Sequence, residues 1–165
     1  MNAATAGRTP VPSAFEVREL FAGLLGREVE WTGGTSPVDP IEGAVVGAYV
    51  NDAGEVRALV VLDIPLAVWA GSAIALLPHS GAESSVKTGL ITAAQFENVA
   101  EILNVAASMF NRAGSPHLRL DAPYAPREKL PDDVAKWVLE PANRLDGTVA
   151  IQGYGGGNIS AVVAY

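Results

Sequence analysis

The 165-residue chain has no cysteine. That excludes disulfides, thiolate metal sites, iron–sulfur clusters and a cysteine nucleophile, and it fits a reducing compartment. Its two histidines, His79 and His117, are too few for a histidine-built metal centre unless carboxylates complete it. Basic residues are scarce: 11 Lys+Arg stand against 18 Asp+Glu, for a net charge of -7. They are also scattered, so the basic patch of a compact nucleic-acid binder is missing and no nucleic-acid partner is expected. Long apolar runs are missing too. The most hydrophobic stretch, Ile64 to Pro78, is shorter than the roughly 20 residues of a bilayer span, so a buried helix and no membrane segment are expected. The opening MNAATAGRTPVP has one charge and no apolar segment, unlike a secretory signal. Residues 1–12 read as a disordered leader, and the expected location is cytoplasmic. There is no nucleophile-elbow serine. Gly153-Tyr-Gly-Gly-Gly-Asn158 lacks the Lys-Ser/Thr of a phosphate-binding loop and reads as a hairpin turn.

Hydrophobic residues make up 49% and charged residues 18%, which suits one domain over 13–165 with a sizeable core. Ser13-Ala-Phe-Glu16 is a capping box, opening a helix over 14–25 that Gly26 ends. Glu28 to Trp31 alternates as a short strand, and Thr32 to Pro40 is a loop by composition. Gly43 to Val50 and Glu55 to Leu62 read as paired strands around Asn51-Asp-Ala-Gly54, with Gly54 left-handed. The run ALVVL predicts a central strand covered on both faces. The helix after Pro65 carries Ala67, Ala70, Gly71 and Ala73, small residues that let a neighbour approach closely. Pro78 to Thr92 reads as a long polar connection. Thr92-Ala-Ala-Gln95 is a second capping box, opening a helix to about Arg112. A strand over 117–121, a short helix from Pro131, and a final hairpin of 148–154 with 159–165 complete the reading.

The helix over 96–111 carries the chemical signal. Phe96, Val99, Ala100, Leu103, Ala106, Ala107 and Phe110 line one face, and Ile102, Val105 and Met109 make a second apolar side. What remains is a polar stripe, Glu97, Glu101, Asn104, Ser108 and Asn111, spaced 4, 3, 4, 3. A helix apolar over most of its circumference is mostly buried, so the stripe is its window on a partner. Solvated faces usually pair Lys with Glu, but here no cation occurs before Arg112. An acidic, amide-bearing ridge suits contact with a Lys or Arg of another molecule, and Glu97, Ser108 and Asn111 are candidate partner-binding residues.

Glu101 and Asn104 form Glu-x-x-Asn on a long helix rich in small residues. Paired strands and an apolar helix (LVVLDIPLAVWAGSAIALL) precede it, and further strands follow. In motif and context the chain resembles the CheC/CheX/FliY family of chemotaxis phosphatases, as a CheX-like single domain over residues 14–165. The resemblance implies an α/β (α+β) fold, with a mixed or antiparallel sheet packed against two long helices. It implies as substrate the aspartyl phosphate of a CheY-type response regulator. Glu101 would grip a Lys beside that phosphate, and Asn104 would orient the attacking water. No cofactor of its own is implied, because the Mg2+ belongs to the response regulator, and a homodimer through sheet extension is suggested. The chain departs from the family pattern at Glu97, where Asp or Ser is usual, and at Ala106-Ala-Ser-Met, where Gly-Asn often follows. A second match, Glu140-Pro-Ala-Asn143, is read as coincidence because Pro141 disfavours a helical Glu140. Two alternatives stay open: a non-catalytic CheX-like binding module in signalling or flagellar assembly, and an unrelated α/β protein whose helix mimics the motif. Bland roles are expected for His79 and His117, for Asp132-Asp133 as a favourable helix start, and for Trp31, Trp69 and Trp137 as core.

Overall fold

Alternation along the two strands after residue 43 sorts their side chains onto two faces, and those faces organise the molecule. The computed structural model describes residues 8–164. Strands β1 (Val29–Gly33), β2 (Ala44–Val50), β3 (Val56–Asp63), β4 (Arg119–Tyr124), β5 (Arg144–Ile151) and β6 (Gly156–Val163) form one sheet of order β1-β5-β6-β3-β2-β4. Every pairing is antiparallel. Val45 and Tyr49 of β2, with Ala58, Val60 and Leu62 of β3, join a large core beneath helices α1 (Ala14–Leu25), α2 (Ile64–Ile74) and α4 (Ala93–Ala106). Ala44, Val46, Ala48, Leu59 and Val61 face the other way, into a smaller core with Val134 and Val138 of α5 (Asp132–Val138). β3 is thus covered on both faces, as its apolar run predicts.

Local signals act as expected at most boundaries. Both capping boxes form, at Ser13/Glu16 and Thr92/Gln95. Gly26 closes α1 in the left-handed region, and Gly54 has φ +78 in the β2–β3 turn. Asp63 caps α2: its carboxylate accepts from the Leu66 N–H and, on its other oxygen, from the Asn158 N–H of β6, both at 2.9 Å. One side chain so ties the start of α2 to the sheet.

Three stretches of the chain depart from the expected elements. The polar connection over 78–92 contains a helix, α3 (His79–Thr88), ended by left-handed Gly89. Glu83 pairs with Lys87 one turn on, and Ala82 and Ser85 are buried, so a thin inward face suffices to hold a mostly polar segment. The last hairpin turns at 152–155 rather than at the glycine run, and Gly156, Gly157 and Asn158 lie in β6. Gly157 is needed there, because a Cβ would stand 2.4 Å from the Leu66 nitrogen. The long helix leaves α geometry after Ala106, followed by a 3-10 turn over Ala107–Met109, and β4 begins at Arg119 rather than 117. Of the leader, residues 1–7 lie outside the described residues; Val11 packs on the core and Pro12 is buried. Among the described residues no helix is long and apolar enough to cross a membrane.

Candidate functional site

α4 lies over the sheet with its inner side chains interlocked at two places. Gly71 of α2 faces the α4 backbone so closely that a Cβ would stand 2.4 Å from the Gln95 carbonyl oxygen. The small-residue face of α2 therefore serves helix–helix contact. Beside it the Asn98 amide donates to the Gly71 carbonyl at 2.9 Å, and Gln95, buried, reaches Ser72. Further along, Leu103 sits over Gly47 of β2, and its carbonyl accepts from the Tyr49 hydroxyl at 2.5 Å. Val99, Ile102, Leu103 and Ala106 are buried by this arrangement.

The same packing turns Glu97, Glu101, Asn104 and Ser108 outward, and all four are exposed. Glu101 and Asn104 stand one turn apart on one edge, as their spacing requires. Among the described residues, no intrachain hydrogen bond or ion pair engages either side chain, nor those of Glu97 and Ser108. Arg112, the nearest cation in the sequence, is committed to Glu16 of the first capping box. The two ridge carboxylates are therefore an unneutralised negative patch beside a neutral carboxamide, open to an incoming cation.

Asn111 departs from the stripe. Its amide donates to the Leu118 carbonyl at 2.9 Å and its oxygen accepts from the Leu118 N–H at 2.8 Å. Both polar ends are consumed in holding the link to β4, and half-buried Asn111 is a structural residue here. Val105, expected on a second buried side, is 42% exposed and adds an apolar spot next to Asn104. Asn98, outside the sequence-predicted set, holds the ridge onto α2. Its position one residue from Glu97 was visible, but its partner on another helix was not.

The other sequence candidates do not join the ridge. Glu140 and Asn143 follow α5 in irregular chain, with Asn143 at φ +56, so the second motif has no helical geometry. His79 stacks on Trp69 with ring centroids 5.1 Å apart, and Tyr154 meets Trp69 edge-on. His117 is exposed, and Asp132 and Asp133 lie in the first turn of α5. Two cavities, of about 670 and 420 Å³, include none of the ridge residues. The ridge is an exposed helix edge, a surface suited to docking on a macromolecule.

No family model and no curated protein sequence matches the chain. Solved structures do. A chain of the CheX–CheY–BeF3–Mg2+ complex from Borrelia burgdorferi aligns with TM-score 0.54 at 10% identity, covering 93% of this chain and 99% of that one. FliY of Thermotoga maritima aligns with TM-score 0.50 at 15% identity, covering 89% and 81%. A chain of the FliM–SpeE complex from H. pylori aligns with TM-score 0.58 at 7% identity, covering 91% and 80%. The chain thus has the CheC/CheX/FliY-like fold, shared with the FliM middle domain.

Proposed function

We propose that this protein removes the aspartyl phosphate of a CheY-type response regulator, using Glu101 and Asn104. The observation that carries the reading is that both side chains project from one edge of α4, exposed and, among the described residues, without an intrachain partner. An acyl phosphate is already activated, so a catalyst chiefly has to place water in line and organise charge. A carboxamide can both donate to and accept from that water without bringing negative charge to the phosphate. A carboxylate one turn away can hold an ammonium group of the regulator, which fixes the approach. The Mg2+ remains on the regulator. The fold neighbour crystallised with CheY, BeF3 and Mg2+ supports a partner of this class. The expected setting is cytoplasmic, where such regulators act.

The test is phosphate release from a phosphorylated CheY-type receiver domain. Catalytic amounts of this protein should speed it. Asn104→Ala should remove most of the acceleration and leave binding largely intact, whereas Glu101→Ala should weaken binding. Saturable binding without turnover would instead identify the second reading, a non-catalytic module. That reading is favoured by the likeness to FliM chains crystallised with SpeE and with FliG.

A further inference from the structure

We infer that Tyr49 is the positioning residue for Asn104: by taking the Leu103 carbonyl out of the helix ladder, it sets the chain geometry at the residue that orients water. This rests on the reading of Asn104 given above.

In an α-helix the Leu103 carbonyl would accept from the N–H four residues on, that of Ala107. Here the Ala107 N–H goes to the Asn104 and Val105 carbonyls instead, and a 3-10 turn over Ala107–Met109 follows. The Leu103 carbonyl is left for the Tyr49 hydroxyl, 54 residues away in sequence. Both residues are buried, so no water can take the place of either. Burial also pushes the Tyr49 pKa up, which keeps the hydroxyl a donor.

Leu103 is held from two sides. Its side chain rests over Gly47, where a Cβ would approach its methyl to 3.2 Å, and its carbonyl meets Tyr49. Gly47 and Tyr49 share one face of β2, being two residues apart. The Tyr49 ring is gripped in turn by Phe110, with centroids 5.1 Å apart, beyond the 3-10 turn. Asn104 is thus referenced to β2, a strand paired on both sides, rather than to a helix end free to fray. The tighter turn also sets where Ser108 stands relative to Asn104, because each 3-10 residue advances about 120° against about 100° in an α-helix.

Tyr49→Phe removes the donor and keeps the ring on Phe110. With this variant, kcat for phosphate release should fall roughly tenfold, as small misplacements of a positioning group do. KM for the phosphorylated regulator should stay within about twofold, since Glu101 is untouched. A purely structural role would leave both constants alone in the folded fraction. By NMR the Ala107 amide and the Asn104 carboxamide should shift, while the Asn98 carboxamide stays in place. An unchanged kcat, or unmoved Asn104 signals, would overturn the inference. Should the wild-type protein release no phosphate, the functional reading falls, and the positioning is judged by NMR alone. Should the variant not fold, the wild-type protein decides: its Tyr49 hydroxyl proton must exchange slowly, and a rapidly exchanging one would overturn the inference.

Discussion

The Asn98 carboxamide donates to the Gly71 carbonyl at 2.9 Å, where α2 and α4 touch backbone to backbone. A glycine carbonyl in mid-helix has a free lone pair, and only a neighbour this close can use it. The contact sets how far the ridge stands from the body.

Gly71→Ala should therefore force the helices apart, because its Cβ would stand 2.4 Å from a backbone oxygen that cannot swing away. Overpacking of this kind costs about 1–3 kcal/mol. Urea denaturation should show that loss, and a variant within experimental error of wild type would contradict the close approach.

In the proposed reaction the neutrality of Asn104 matters as much as its shape. Asn104→Asp keeps the size but adds a charge beside the phosphate, and it replaces an amide donor by an acceptor. Phosphate release should fall as far as in Asn104→Ala, on the order of 100-fold. Retained activity in the Asp variant would show that the amide neither donates nor needs to be neutral.

Asp63 gives a pH dependence of unusual sign. Burial of its carboxylate pushes the pKa above the ordinary 3.8, and the N–H groups of Leu66 and Asn158 offset this only in part. The folded state then binds this proton more tightly than the unfolded chain does. The resulting stability is fully present below the unfolded pKa and is lost as pH rises through the higher folded value. Stability of wild type minus that of Asp63→Asn should decline as pH rises through that window and then level off. A difference that grows with pH would refute the assignment.

Arg144 and Asp146 form a buried clamp, with side chains 7% and 14% exposed. The guanidinium also donates to the Val138 and Glu140 carbonyls at the end of α5. Ser160 donates to Asp146 and accepts from the Val38 N–H. Asp146→Ala strands a buried cation and should cost on the order of 3 kcal/mol. Glu19→Ala, which breaks the exposed Arg18–Glu19 pair and leaves the Arg18 bond to the Val29 carbonyl in place, should cost close to nothing. Equal losses in the two would show that burial does not set the difference.

Much of this architecture was readable because it is local. Capping boxes, the left-handed glycines 26 and 54, and the period-2 and period-3.6 patterns act within a few residues, so they placed α1, α2, α5, both ends of the β2–β3 hairpin and the start of α4. The outward ridge followed from spacing alone at Glu97, Glu101, Asn104 and Ser108. α3 was missed because its inward face is only Ala82, Ser85 and a half-buried Val86, too thin to show as a pattern. The hairpin turn was misplaced because three glycines look like a turn, whereas Gly156 and Gly157 are strand residues and Gly157 is crowded by the start of α2.

The sequence by itself determined which residues could stand on the exposed edge of α4, since a helix fixes angles between neighbours. Tertiary structure decided which of them are free. Asn111 and Asn104 are both asparagines of the same stripe, yet one closes a pair of bonds to Leu118 and the other has no intrachain side-chain partner among the described residues. It also decided where the helix stops being α-helical, because the Leu103 carbonyl finds its donor on a strand far away in the chain. Such choices depend on which surfaces meet when the chain collapses, and no window of neighbouring residues contains that information.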